Sequence, residues 1–145
     1  MGPIPTIRVV TAVIARDGKY LITQRRPTAA LPLLWEFPGG RVEDGESDAD
    51  ALTRVLLHRL GVEVEMGTLI KRKPHPYESY VVDLYVYDCR IVSGDPARLA
   101  VNDFRWVKSD EFDFYTFTPA DESSVAQLLG IVPDAAAGKR RPQSS

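Results

Sequence analysis

The chain has 145 residues, of which 44% are hydrophobic, and this is enough to build one sizeable core. A formal net charge of -2 and an isoelectric point of about 5.7 exclude the strongly basic character that is usual in dedicated nucleic-acid binders. Cys89 is the single cysteine, which excludes an internal disulfide framework, and no Cys/His cluster has zinc spacing. Small ligands or other proteins are therefore the favoured partners.

The sequence also predicts no targeting or membrane-spanning segment. Residues 1–30 lack the basic start and long apolar run of a signal peptide, and no run of 18 or more apolar residues occurs. We therefore expect a soluble protein of the reducing cytoplasm, without a membrane partner.

The first part of the chain predicts a β-hairpin followed by a loop. Thr6 to Arg16 is rich in β-branched residues, Asp17-Gly18 is a strong two-residue turn signal, and Lys19 to Gln24 has the pattern of a return strand. Three prolines and a final glycine pair in residues 25–40 indicate a loop around a very short extended piece, Trp35 to Phe37. Binding and catalytic groups often lie on such loops.

A helix is predicted from about Asp48 to Leu60. Ser47 followed by Asp50 is similar to a capping box, and Gly61 suits the left-handed residue that follows a last helical turn. Residues at helical spacing form the stripe that faces the core: Ala49, Leu52, Leu56 and Leu60. Along the edge of that stripe lie Val55, His58 and Arg59.

The second half predicts more strands and one more helix. Val62 to Lys73 and Ser79 to Val92 have the pattern of extended segments, and Asp103 to Phe112 predicts a short strand followed by a turn. An amphipathic helix is expected to begin at Pro119 and to stop at Gly130. Strands interspersed with two helices imply a mixed sheet with helices on both faces.

Two further segments are predicted to lack regular structure. Lys71 to Glu78 is a short basic stretch that either faces phosphates across a cleft or forms a solvated loop, and the loop is favoured. Residues 133–145 have no apolar pattern, which predicts a disordered tail. Residues 1–132 are accordingly expected to form a single domain.

The loop and helix together resemble a known motif. The stretch WEFPGGRVEDGES, followed after seven residues by an arginine and later by LGV, resembles the Nudix box, G-x5-E-x7-R-E-U-x-E-E-x-G-U with U aliphatic. The positions that match are Gly40, Glu46, Arg54, Leu56, Gly61 and Val62. The flanking stretches ITQRRP, FRWV and TPAD resemble the MutT and CTP-pyrophosphohydrolase branch of the Nudix hydrolase superfamily, so the resemblance covers most of residues 6–130.

The resemblance implies a fold and a structural frame. The expected fold is α/β, an α/β/α sandwich around a mixed β-sheet, in which the box forms a loop, a helix and a loop. Glu46 and Arg54 match the acid and the arginine that pair to hold the loop. We expect Gly39 and Gly40 to permit close turns of that loop.

The metal site that the resemblance implies is altered in this sequence. An active member holds Mg²⁺ with glutamates on one helix edge, and the ions neutralise the charge that develops on the phosphate oxygens. Those three positions are Val55, His58 and Arg59 here, and Arg59 adds a permanent positive charge. The position that matches a fourth metal-binding acid of the family is occupied by Ala100, although Asp95 and Asp103 lie in the same stretch. We predict that no catalytic set is intact and that no metal site is retained.

The replacement residues allow more than one interpretation. Val55 most simply extends the apolar stripe, and His58 is expected to be a polar boundary residue. Arg59 is either a solvated arginine at the helix edge or a guanidinium that binds phosphate directly by paired hydrogen bonds.

Other candidate ligand contacts come from the flanks. Arg25 matches an arginine that MutT-like proteins direct toward the nucleotide, and surface charge is an equal alternative. Asp121 matches a position that contacts the base edge, where a carboxylate accepts from an exocyclic amino group; an ordinary acid of a first helical turn is the alternative. Trp35, Phe37 and Tyr80 are candidates for a stacking pocket or for the core.

Three functions remain at this point. We favour a MutT-like protein that binds a nucleotide or a similar small phosphorylated ligand without efficient Mg²⁺-dependent pyrophosphohydrolysis. A hydrolase of nucleoside triphosphates or related diphosphates that uses substitute acids, such as Glu43, Asp44 and Glu46, is the second. The third is a protein-interaction or regulatory module, and its nucleic-acid-binding variant is disfavoured by the acidic charge.

Overall fold

The computed structural model describes residues 4–128. The predicted helix stop at Gly130 and the predicted tail, residues 133–145, lie outside the described residues. In chain order the elements are β1 (Thr6–Arg16), β2 (Lys19–Gln24), β3 (Trp35–Glu36), β4 (Gly39–Arg41), α1 (Asp48–Leu60), β5 (Glu63–Pro76), β6 (Val81–Ser93), β7 (Asp103–Val107), a 3-10 helix (Ser109–Phe114) and α2 (Pro119–Leu128). Neither of these two α-helices of the described region is long and apolar enough to cross a membrane.

Strand β1 is the centre of a mixed sheet. It lies parallel to β6 and antiparallel to β4, and the Asp17-Gly18 turn returns the chain into antiparallel β2. The order across the sheet is β3-β2-β1-β6-β5, with β7 beside β2 and β4 beside β1. The predicted hairpin and mixed sheet are confirmed.

Hydrophobic side chains cover both faces of this sheet, because alternate residues of β1 point to opposite sides. One face buries residues of β1 against the inner stripe of α1, and the other buries residues of β1, β2 and β6 against aromatic side chains that follow β3 and β7. The first cluster includes Val10, Ala12, Ile14, Leu52, Leu56 and Leu60, and the second includes Val13, Ile22, Phe37, Leu84, Phe112 and Phe117. This is the predicted α/β/α arrangement.

Helix α1 begins and ends as its sequence predicts. The Ser47 hydroxyl accepts a hydrogen bond from the Asp50 amide at 3.1 Å, which satisfies one of the open donors of the first turn. Gly61 closes the helix in a left-handed conformation, with φ of 73°, and its amide donates to Leu57 O. One detail of the stripe differs, because Ala51 is fully buried and Ala49 only partly so.

The glycine pair has a different role from the predicted one. Gly39 and Gly40 do not form a loop turn; they lie in β4, and neither has a positive φ. A Cβ atom on Gly39 would lie 2.1 Å from Val10 O, so glycine permits the close approach of β4 to β1. The prediction of a solvated loop from Lys71 to Glu78 is also wrong, because β5 continues to Pro76.

The contact between β4 and β1 yields a test of stability. We expect Gly39→Ala to lower the free energy of unfolding by about 2–3 kcal/mol, because the new methyl group overlaps a backbone oxygen that cannot rotate away. Gly40→Ala is the matched control, since its Cβ would meet side chains and no backbone atom: the Val55 methyl groups at 3.1 Å and Arg59 Nη2 at 3.7 Å. Urea unfolding measures both, and a loss for Gly39→Ala no larger than that for Gly40→Ala would contradict the role assigned to β4.

Candidate functional site

A buried carboxylate, Glu36, lies at the centre of the candidate site. The pairing of β3 with β2 places Glu36 opposite Thr23. Arg25 follows Thr23 by two residues and therefore lies near Glu36. Arg25 Nη1 donates to the two carboxylate oxygens of Glu36 at 3.2 and 3.4 Å, and Arg59 Nη1 of α1 lies 3.8 Å from Oε2. The side chain of Glu36 is only 15% exposed. Two guanidinium groups therefore hold one carboxylate.

The cluster of Arg25, Arg59 and Glu36 has more positive than negative charge. Burial raises the pKa of Glu36, and Arg25 and Arg59 act in the opposite direction. Burial also lowers the pKa of Arg59, although Glu36 opposes this and arginine stays protonated in proteins. With Glu36 ionised, the two cations and one anion leave one positive charge. An anionic ligand would find a partner here.

Two cavities meet at this cluster. The first, which we call the sheet pocket, encloses about 110 Å³ over β1 and β6, and its wall includes Val9, Thr11, Tyr77, Tyr80, Leu84 and Asp121. The second, the arginine pocket, encloses about 220 Å³ beside α1, and its wall includes Gln24, Arg26, His58, Arg59, Ala100 and Val101. Arg25 and Glu36 line both cavities. A ligand that crosses from one to the other would pass these two side chains.

The three replaced positions have different surroundings. Val55 is 4% exposed and packs in the core beneath Gly40, whereas His58 is exposed at the wall of the arginine pocket. Arg59 is neither fully solvated nor free, because its side chain is 35% exposed and lies beside Glu36. Its Nη2 atom also lies close to Gly40, 3.7 Å from where a Cβ would be. The structure thus brings Arg59 together with Arg25, and Val55 stands apart from both pockets.

Glu46 and Arg54 form a separate clamp on the loop. Arg54 Nε donates to Glu46 Oε2 at 2.7 Å and Arg54 Nη2 donates to Oε1 at 2.9 Å. Arg54 Nη2 also donates to Arg41 O, and Glu46 Oε1 accepts from the Glu43 amide. These contacts lower the pKa of Glu46 to about 2, the hydrogen bond from Arg54 being the largest cause. The clamp fastens the loop after β4 to the middle of α1.

The side chains of this region do not fit the Mg²⁺ ions that the sequence motif implies. Within residues 4–128 no three His, Cys, Asp or Glu side chains are grouped as metal ligands. Of the nearby acids, Glu36 is held by two arginines and Glu46 by Arg54. Asp103 lies 2.8 Å from Arg105 Nη1 and 3.8 Å from Arg98 Nη1. Hard cations need several carboxylate oxygens at one point; Glu36, Glu46 and Asp103 are each engaged by arginine, and Glu43 and Asp44 are exposed on the loop after β4.

Asp121 of α2 lies at the floor of the sheet pocket. It is 3% exposed, and its Oδ2 accepts a hydrogen bond from the Phe37 amide at 3.2 Å. Burial raises the pKa of this carboxyl to about 8, and the nearby Glu36 adds to the shift. Below that pH Asp121 is a neutral acid that donates from one oxygen. This differs from the ionised acceptor that the sequence suggested.

The aromatic candidates divide between pocket and core. Tyr80 lines the sheet pocket and stacks on Tyr77, with ring centroids 5.1 Å apart. Phe37 is fully buried among aromatic rings, and Trp35 packs edge-on against Tyr115. Glu36 was not recognised from the sequence. Its signal was a charged residue between Trp35 and Phe37 in a short strand.

Comparisons with known proteins agree with this geometry. Residues 9–127 match the model of the NUDIX domain family, and the chain belongs to the MutT-like branch of that family. It is 33% identical over 115 residues to the CTP pyrophosphohydrolase of Escherichia coli, covering 79% of this chain and 85% of the relative. It is 30% identical to the putative 8-oxo-dGTP diphosphatase 2 of Mycobacterium tuberculosis, covering 92% of this chain and 95% of the relative.

Solved structures show the same fold. The E. coli ORF135 protein superposes with a TM-score of 0.75 at 30% identity, covering 89% of this chain and 94% of that protein. A MutT protein of methicillin-resistant Staphylococcus aureus superposes with a TM-score of 0.69 at 33% identity, covering 86% and 96%. The predicted Nudix fold is confirmed.

The raised pKa of Asp121 predicts a pH dependence of stability. Its folded pKa of about 8 lies above the ordinary 3.8, so its contribution is fully present below pH 3.8 and is lost as the pH rises through 8. Asp121→Asn keeps an oxygen for the Phe37 amide and removes the titration. We expect the variant to lose less stability than the natural protein between pH 5 and 9 in urea unfolding. Parallel pH profiles for the two proteins would contradict the assignment.

Proposed function

We propose that this Nudix-family protein binds a nucleotide, or a similar phosphorylated ligand, with its ring system in the sheet pocket and its phosphates in the arginine pocket. Binding does not use Mg²⁺, and the protein lacks efficient pyrophosphohydrolase activity. The observation that carries this proposal is Arg59, a cation in the arginine pocket at the position where the Nudix box has a glutamate.

The charge of the arginine pocket supports the phosphate half of the proposal. Arg26 is exposed at its wall and has no ion pair within the described part of the chain, while Arg25 and Arg59 share Glu36. A guanidinium binds phosphate by two parallel hydrogen bonds and needs no metal between them. Arg26 and Arg59 are therefore the groups that would meet the ligand phosphates.

The sheet pocket supports the nucleoside half. Its walls are apolar strand residues and the stacked pair Tyr77 and Tyr80, and Asp121 supplies a polar floor. Ligand pockets typically combine apolar walls with a few polar groups that fix orientation. The relatives named for CTP and 8-oxo-dGTP also favour a nucleotide as the class of ligand.

Loss of hydrolysis follows from the chemistry that the present residues can perform. Cleavage of a diphosphate needs stabilisation of the developing charge together with an activated, positioned water. Arg26 and Arg59 would supply positive charge and orientation, but Glu36 is engaged by two guanidinium groups and is poorly placed to accept a proton. The bound diphosphate would be held without being cleaved.

An active hydrolase is the second candidate, and the enzymatic names of the relatives favour it. It would use acids outside the helix edge. Glu43 lies 3.9 Å from Arg54, and Asp44 is exposed on the same loop. Turnover measurements separate the two candidates. A protein-interaction module would bind neither nucleotides nor pyrophosphate in its pockets.

Calorimetry with cytidine diphosphate tests metal-independent binding. We expect an affinity that changes less than about twofold when Mg²⁺ is added, and a loss of about tenfold in Arg59→Met because a paired, charged hydrogen bond is removed. Arg90→Met is the matched control. Arg90 is an exposed arginine of β6 that pairs with Glu65 of β5, and it lines neither pocket. Binding that requires Mg²⁺, or equal affinities in the two variants, would contradict the proposal.

A turnover assay tests the loss of hydrolysis. The natural protein should hydrolyse nucleoside triphosphates far more slowly than about 1 per second, the low end for ordinary enzymes. His58→Glu with Arg59→Glu restores two carboxylates and leaves buried Val55 unchanged, so we expect Mg²⁺-dependent turnover at least about tenfold above the natural protein. His58→Gln with Arg59→Gln is the control for loss of positive charge alone. Turnover near 1 per second by the natural protein would establish the second candidate instead.

A further inference from the structure

Two buried polar atoms in the sheet pocket lack hydrogen-bond partners. Thr11 of β1 is 4% exposed and Asp121 of α2 is 3% exposed, and both line this pocket. Thr11 Oγ1 and Asp121 Oδ1 make no hydrogen bond that meets normal distance and angle limits within the described residues, although the nearby Thr118 side chain acts on the Asp121 carboxyl and opposes the rise that burial causes in its pKa. They lie on different elements that flank the same cavity. Buried polar groups in folded proteins are nearly always satisfied, so two exceptions in one pocket indicate a missing partner.

The unpaired hydroxyl of Thr11 lies on an otherwise apolar face of β1. Thr11 lies in the apolar run of β1, where valine has nearly the same shape and carries no unsatisfied hydroxyl. Its neighbours on this face of β1 and β6, Val9, Val82 and Leu84, are all apolar wall residues. The hydroxyl therefore makes no hydrogen bond to the described residues of the protein itself.

Gly39 fixes the surroundings of this side chain. A Cβ on Gly39 would lie 2.9 Å from Thr11 Cγ2, so the threonine methyl group packs directly over the glycine. Rotation of the side chain is thereby restricted, because Thr has few allowed rotamers even without such a neighbour. The close approach of β4 thus also holds Thr11 at the pocket.

We propose that Thr11 is a specificity-determining residue that hydrogen-bonds the ring system of the ligand together with Asp121. This rests on the proposed nucleotide function and extends it to the class of ring. The two residues read one edge of the ring, on which an exocyclic amino or oxo group stands next to a ring nitrogen. A ring without the exocyclic group leaves one of the two buried atoms unpaired.

The donor and acceptor capacities of the two residues are complementary. With a pKa of about 8, Asp121 is mainly protonated near neutral pH and donates from Oδ1, because Oδ2 already accepts from the Phe37 amide. The Thr11 hydroxyl can accept or donate. A ring edge with adjacent donor and acceptor atoms satisfies both residues at once. A site that hydrogen-bonds such groups discriminates strongly against a ligand that lacks one.

Ser124 provides an internal control. Its hydroxyl is also buried and without a partner in the described region, but Ser124 is not part of the wall of either pocket. Thr11→Val and Ser124→Ala each remove one unsatisfied buried hydroxyl. Both variants should unfold at a slightly higher temperature than the natural protein, and only Thr11→Val should change ligand binding.

The test compares two probes by calorimetry. One is cytidine diphosphate, and the other is the diphosphate of the pyrimidinone riboside that lacks the exocyclic amino group. We expect the natural protein and Ser124→Ala to bind cytidine diphosphate about tenfold more tightly than the second probe. Thr11→Val should lose most of this preference, with affinity for the second probe within about twofold of the natural value, and Thr11→Ser should retain it.

The outcomes distinguish this proposal from the one on which it rests. An unchanged preference in Thr11→Val, or an equal loss in Ser124→Ala, would overturn the role of Thr11 while nucleotide binding stands. If the natural protein binds inorganic pyrophosphate but does not distinguish the two rings, the role of Thr11 is likewise wrong. If the natural protein binds neither pyrophosphate nor cytidine diphosphate, both the proposed function and the role of Thr11 fail.

Discussion

The ion pairs of Glu36 with Arg25 and Arg59 are the interaction on which this site depends. A buried carboxylate is costly without partners, and here Arg25, directly after the second strand, and Arg59 of the first helix each supply a guanidinium. Because Arg25 and Glu36 line both pockets, the same contacts separate the apolar cavity over the sheet from the basic cavity beside α1. The cluster thus joins the segment after β2 to β3 and α1 and sets the charge between the two cavities.

The contacts that hold the loop of the Nudix box do not depend on the charge of the helix edge. The clamp between Glu46 and Arg54 lies on the loop after β4, and its contacts include none of the replaced helix-edge residues. Loop and helix can therefore have the same geometry whether the helix edge carries an acid or, as here, Arg59. Under the proposed function the Arg59 guanidinium takes the electrostatic part of a bound cation: it would neutralise phosphate charge, but it would bring no ligand positions for water.

The sequence predicted the features that local chemistry determines. The hairpin at Asp17-Gly18 and the capped helix from Ser47 to Gly61 follow from turn and capping preferences, and the structure confirms both. Tertiary contacts decided the rest. The place of Gly39 in β4 depends on the backbone of β1, and the basic, proline-containing end of β5 forms a strand because it lies at an open sheet edge that tolerates such residues. Likewise, the partners of Glu36 come from segments that only folding brings together.

The most direct test of this account is a crystal structure of the protein grown with cytidine diphosphate and Mn²⁺, in which anomalous scattering locates the metal. The account predicts diphosphate oxygens within hydrogen-bond distance of the Arg59 guanidinium and no Mn²⁺ peak bound by protein side chains in the cleft. A Mn²⁺ ion coordinated by Glu36 or by the acids of the loop after β4, with Arg59 turned away from the diphosphate, would contradict it.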